Sequence, residues 1–274
     1  MTLKIDGTLL LAGAGNMGAA LLAGWLDGGL EPSSIVVQDP APPPRAKELL
    51  ARHGIVAQAT IAALPEPPAA IVVAVKPQVM DEVFPPLARL AGKATVVLSI
   101  AAGRTIAGFE RHLPKNTAVI RSMPNTPASI GRGIAVAVGN AHVTPAQRTA
   151  CDGLLRAVGE VAWVDDEALL DAVTAVSGSG PAYVFYLAEC LAEAGIKAGL
   201  APELAKKLAR WTVAGAGELL HRSDLGADVL RQNVTSTGGT TFAALQVLMA
   251  PDGLPKLMRE AVAAATKRSR ELAK

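Results

Sequence analysis

Aromatic residues are scarce in this chain: four Phe, three Trp and two Tyr make up 3% of 274 residues. The core must therefore be built from Ala, Val, Leu and Ile. No patch of interleaved aromatics and cations is present to bind nucleic acid. An excess of one charge sign is also lacking, because the net charge is +2 and no basic tract occurs. Both absences argue against a nucleic-acid partner. Cysteine occurs only as Cys151 and Cys190, far apart and without metal-ligand spacing. Two free thiols in a reducing compartment, and no metal, are expected. None of His53, His112, His142 and His221 sits in a motif. No charged-then-apolar leader with a small-residue cleavage site opens the sequence. The twenty uncharged residues Gly7 to Leu26 are long enough to span a membrane, but the glycines among them argue against one continuous helix. The expectation is a soluble, cytoplasmic protein.

Half of the residues are hydrophobic and 18% are charged, which fits a well-buried globular protein of one large or two modest domains. The apolar run Thr8 to Ala12 predicts a buried strand. Gly13, Gly15 and Gly18 follow at the spacing G-x-G-x-x-G, and a helical pattern continues through Met17, Leu21, Leu22 and Trp25. Strand, glycine turn and helix is the arrangement that binds a dinucleotide. The first glycine allows the tight turn, the second lets a pyrophosphate approach the backbone, and the third lets helix and strand pack closely. The helix N-terminus then offers Asn16, Met17 and their neighbours' N–H groups to the phosphates.

Short apolar runs alternate with helical patterns through the first half. Strands are predicted over 34–38, 56–57, 69–75, 95–100, 119–123, 134–138 and 161–164, and helices from Pro44 or Arg45 to His53, over 79–90 and over 145–157. Asp39 ends the second strand about twenty residues past Gly18, where an acidic side chain bonds the adenosine ribose. A carboxylate there favours NADH over NADPH, whereas Arg45 is placed to take a 2′-phosphate, and the residues leave both open. Asp39 before Pro40 also reads as a simple turn. Lys76 ends the strand over 69–75, at the edge where open α/β sheets bind ligands.

Beyond Glu167 strand patterns vanish, and helices are predicted over 168–176, 181–198, 202–221, 240–249 and 254–272. The expected organisation is a dinucleotide-binding α/β domain over 1–165 and an all-helical domain over 166–274. The helices of the second half carry apolar residues on several faces, among them Tyr183, Val184, Tyr186, Leu187 and Leu191, which points to dimerisation through this half. Two small-residue segments interrupt it, Ser177 to Pro181 and Ser236 to Thr241. Each precedes a helix, where capping by Ser177, Ser179, Thr240 or Thr241 is one reading. So many hydroxyls and free N–H groups exceed what capping needs, and a bound carboxylate is the other.

Six segments together resemble the pyrroline-5-carboxylate reductase family: Gly13 to Gly18, Ala74 to Pro77, Ser99 to Gly103, Arg121 to Pro127, Ala175 to Tyr183 and Val234 to Thr241. They run in family order across nearly the whole chain. The resemblance implies a Rossmann domain, a helical domain that interlocks into a homodimer, and larger rings up to a decamer of five dimers. It implies reduction of 1-pyrroline-5-carboxylate to L-proline by NADPH or NADH. Cofactor contacts would fall on Gly13, Gly15, Asn16, Met17, Gly18, Asp39, Val75, Lys76, Pro77, Met123, Pro124 and Asn125. Substrate contacts would fall on Ser236, Gly238, Gly239, Thr240 and Thr241, with Asp224 near the substrate, and Thr241 and Ser236 in the catalytic roles. Thr237 departs from the family, which usually carries proline there. A hydroxy-acid dehydrogenase would need a general base such as Lys or His, and none lies beside the small-residue loops. A regulator that only reads a nucleotide would have no use for Ser236 to Thr241.

Overall fold

The computed structural model describes residues 3–272. It divides into two compact units, Met1–Gly178 with Thr266–Lys274, and Ser179–Ala265.

The first unit holds one eight-stranded sheet made of β1 (Leu9–Ala12), β2 (Ile35–Gln38), β3 (Ala57–Gln58), β4 (Ala70–Val73), β5 (Val96–Ser99), β6 (Ala118–Met123), β7 (Gly133–Gly139) and β8 (Gly159–Trp163). Their order is β3-β2-β1-β4-β5-β6-β7-β8. All pairs are parallel except β6 with β7, where Arg121 lies opposite Val138. Every residue of β1, β4 and β5 is buried, as strands covered on both faces must be.

Two apolar clusters cover the two faces. One gathers Leu9, Leu11, Leu21, Trp25, Leu98, Ile120 and Leu154 beneath helices α1 (Asn16–Asp27), α2 (Pro44–Arg52) and, later in the chain, Pro145–Arg156. Trp25 is fully buried, and its Nε1–H donates to the Leu154 carbonyl at 2.8 Å, so its one polar atom is satisfied. The other face gathers Leu10, Ile71, Val97, Val119, Phe84 and Phe109. It is covered by α3 (Met80–Ala88) and α4 (Ile106–Glu110), with the two Phe rings edge to face at 4.8 Å. The third strand sits one residue later than the pattern suggested, because Val56 stays exposed. The five-residue α4 was not foreseen; Thr105 opens it by accepting from the Gly108 N–H.

After α5 (Pro145–Arg156) and β8 the chain forms α6 (Leu169–Val173), which runs on as a π-helical turn over Thr174–Gly178. The second unit contains α7 (Gly180–Lys197), α8 (Pro202–Arg222), α9 (Ala227–Asn233) and α10 (Thr240–Leu248). The last helix, α11 (Leu254–Leu272), starts in the second unit and ends in the first. There Ser269 Oγ donates to Asp171 Oδ1 at 2.6 Å. Among the described residues no helix is long and apolar enough to cross a membrane, and no group of His, Cys, Asp and Glu could hold a metal.

Candidate active site

The first unit brings its predicted cofactor residues to one edge of the sheet. Because β1, β2, β4, β5 and β6 run parallel, Gly13, Asp39, Val75 to Pro77 and Met123 to Asn125 all lie at or just past carboxyl ends of strands. This is the edge where open sheets bind ligands.

The glycine loop has the shape a dinucleotide needs. Gly13 has φ +94°, and a Cβ there would stand 2.8 Å from the Ala74 carbonyl oxygen. A Cβ on Gly18 would run into the carbonyl oxygen of Gly13, so only glycine lets the helix begin this close to the strand. Gly15 faces open space and is the N-cap of α1, with no side chain capping the helix and no acid in its first turn. The N–H groups at the start of α1 therefore meet no intrahelical acceptor and carry the positive end of the dipole. A pyrophosphate fits this cradle.

Asp39 lies half-buried beside the loop. Its Oδ2 accepts from the Ala14 N–H at 2.7 Å and its Oδ1 from the Ala41 N–H at 2.9 Å. Lys76 is exposed. Met123 is half-buried, and its Cε lies 2.6 Å from where a Cβ on Gly178 would stand, so that glycine makes room for it. Pro124 is buried, and Asn125 Oδ1 accepts from the Ile134 N–H at 3.0 Å. Ser122 Oγ, one residue before Met123, is buried with no hydrogen-bond partner among the described residues.

Two supporting side chains were not among the predicted site residues, because the partners they bond lie far along the chain. Arg104 follows the Ser99 to Gly103 turn. It makes two bonds to the Asp81 carboxylate, at 2.7 and 3.0 Å, and a third to the Pro77 carbonyl at 2.7 Å. It thereby ties the loop after β5 to the loop after β4. Arg104 holds the Asp81 carboxyl below its usual range. Arg121, buried on β6, donates to Glu167 Oε1 at 2.9 Å, and the same oxygen accepts the Ile106 N–H at 2.9 Å. Cys151 is buried in α5, and burial alone pushes its thiol up to about 12. It is no nucleophile at neutral pH.

In the second unit Ser236, Gly238, Gly239, Thr240 and Thr241 form one continuous turn into α10. The Gly239 N–H donates to the Ser236 carbonyl at 3.0 Å, and Gly238 has φ +71°. A left-handed third residue defines a type II turn, which only glycine or asparagine takes readily. Thr237 holds the second position, where such turns favour proline. The N-cap of α10 is Gly239, with no side-chain cap, so neither Thr240 nor Thr241 caps this helix. Their hydroxyls and the first N–H groups of α10 stay available. Ser236 Oγ lies against Gly239, where a Cβ would strike it.

Asp224 is exposed in the loop before α9. The segment Ser177 to Pro181 is not a loop. Ser177 lies in the π-helical turn, where its Oγ donates to the Val173 carbonyl at 3.1 Å, and Ser179 precedes α7 without a side-chain cap bond.

A mainly parallel sheet with this glycine turn on a helix N-terminus defines a dinucleotide-binding protein, and the family matches make it an oxidoreductase. Residues 8–103 match the family model described as NADP oxidoreductase, coenzyme F420-dependent, and residues 167–272 match that of pyrroline-5-carboxylate reductase dimerisation. The chain is 41% identical to the pyrroline-5-carboxylate reductase of Pseudomonas aeruginosa over 261 residues, covering 95% of each. Among solved structures, the enzyme from Coxiella burnetii is similar at a TM-score of 0.88 and 32% identity, covering 98% of this chain and 100% of that one. The Plasmodium falciparum enzyme, solved with NADP bound, is similar at 0.77 and 28%, covering 98% and 99%. The chain belongs to the pyrroline-5-carboxylate reductase family. Its helical half matches a dimerisation domain, which supports homo-oligomerisation.

Proposed function

We infer that this chain reduces 1-pyrroline-5-carboxylate to L-proline, the last step of proline biosynthesis. The observation that carries the substrate reading is the turn at α10, where hydroxyls and helix N–H groups are left uncapped. When bound, NADPH or NADH supplies the hydride for the imine carbon. Gly13, Gly15, Asn16, Met17 and Gly18 hold the pyrophosphate, and Asp39 holds the adenosine ribose. Val75, Lys76, Pro77, Met123, Pro124 and Asn125 border the nicotinamide half. Ser236 and the N–H groups of Gly238, Gly239, Thr240 and Thr241 hold the substrate carboxylate. The Thr241 hydroxyl bonds the ring nitrogen, and Asp224 adds an acidic group near the substrate. A cyclic imine accepts hydride directly, so the residues orient and polarise rather than form a covalent bond.

On this reading residues 1–165 serve the cofactor and 166–274 serve substrate binding and dimerisation. Five dimers would form a decamer, working in the cytoplasm without nucleic-acid or membrane partners. The test is to follow oxidation of NADH and NADPH by the purified chain with pyrroline-5-carboxylate. Turnover is expected, and Thr241→Ala should lower it, or raise the substrate KM, by about tenfold. No turnover with either cofactor overturns the reading.

A further inference from the structure

The family resemblance leaves open which nicotinamide cofactor this chain takes, and the loop after β2 bears directly on that choice. Asp39 is fixed at three points. Its N–H donates to the Gln58 carbonyl at 2.9 Å, and its two carboxylate oxygens accept from Ala14 and Ala41. The bond to Ala14 puts a negative charge against the loop that receives the pyrophosphate. The adenosine ribose is joined to that pyrophosphate, and an acidic residue at the end of the second strand is the acceptor for its 2′-hydroxyl.

The residues that follow are Pro40, Ala41, Pro42, Pro43 and Pro44. None carries a side-chain donor, and the four prolines have no N–H. The one amide hydrogen in this stretch, on Ala41, is already given to Asp39. A 2′-phosphate arriving here would meet a fixed carboxylate and no free donor from residue 40 to residue 44. The first cation is Arg45, in the first turn of α2, and it is exposed. A solvated guanidinium contributes little, whereas a like charge held in place by two backbone bonds repels at close range.

We propose that Asp39, with the donor-free loop Pro40 to Pro44 behind it, makes this chain select NADH against NADPH. The proposal rests on the assignment of Gly13 to Gly18 as the cofactor loop.

The test is direct binding of NADH and NADPH to the full-length protein by titration calorimetry, with no substrate present. Wild type should bind NADH at least about tenfold more tightly than NADPH, the scale of one like-charge contact after screening. Asp39→Asn keeps an acceptor oxygen for the Ala14 N–H and removes the charge, so the fold is retained. It should bring the two affinities to within about threefold of each other by raising that for NADPH. Asp39→Ser should go further, weakening NADH as well, and Arg45→Ala should leave the ratio as in wild type. Equal or tighter binding of NADPH by wild type overturns the proposal, as does an Asp39→Asn ratio unchanged from wild type. A ratio moved by Arg45→Ala instead assigns the selection to the wrong residue and also overturns it. Failure to bind either cofactor would bring down the cofactor loop itself, a different result from NADPH preference.

Discussion

The two units differ most in what they bury. In the first, every residue of β1, β4 and β5 is buried, and Trp25, Phe84 and Phe109 are enclosed. In the second, only Ala205 and Ala209 are buried among the described residues, while Phe185, Tyr186 and Trp211 stand 65%, 65% and 68% exposed. The first unit carries its own core. The second is a set of helices with exposed apolar faces, and it matches a dimerisation domain, the kind of unit whose faces a second copy covers.

The contrast can be tested by breaking each half separately. The largest effect is expected from Phe185→Glu with Trp211→Glu. Each change removes an apolar side chain worth about 1.5–3 kcal/mol when covered and puts a charge in its place. Light scattering should show loss of the homo-oligomer, while NADH binding by the first unit persists. An unchanged mass would mean that these faces are not the assembly surface. Next is Glu167→Ala, which leaves Arg121 buried without its partner and the Ile106 N–H without its acceptor. Denaturant unfolding should show a loss of about 2–3 kcal/mol, with the oligomer still formed.

The smallest is Asp81→Asn, which weakens the Arg104 link between the two loops of the first unit. Asp81 has a lowered pKa because of its bond to Arg104, so its contribution is present above the usual value of 3.8 and is lost as pH falls through the lowered one. The variant should be slightly less stable than wild type at neutral pH, and the two melting curves should converge in acid. A gap that persists in acid would assign the effect to something other than this charge pair.

Much of the first unit was legible because its signals are local. A run such as Leu9 to Ala12 announces a buried strand, and the glycine spacing after it announces the turn and the helix. What escaped was carried by tertiary contacts or by very short elements. The helices α4 and α9 are five and seven residues long, too short for an apolar period to show. In the π-helical turn at Thr174–Gly178 the Ser177 hydroxyl bonds back to the Val173 carbonyl, and a glycine- and serine-rich segment read as a loop is helical. Arg104 and Arg121 act on carbonyls and carboxylates far along the chain, and no spacing reveals that. In the candidate site the turn at Ser236 to Thr241 was legible as small residues before a helix. Its N-cap was not, since Gly239 rather than a hydroxyl residue takes that position.

The register of β1 has a consequence for how the protein is made. Leu9 pairs with Ile35 on one side and with Ala70 on the other. At a synthesis rate of about 5–20 residues per second, this fully buried strand waits several seconds for its second neighbour. Parallel pairing of this kind closes long loops before any contact compensates, which slows folding. The α7–α8 pair closes over a short connection and can form almost as soon as it emerges. The nascent chain thus carries an apolar strand early and completes its pairing late, so an unpaired edge of β1 is exposed while the chain is being made.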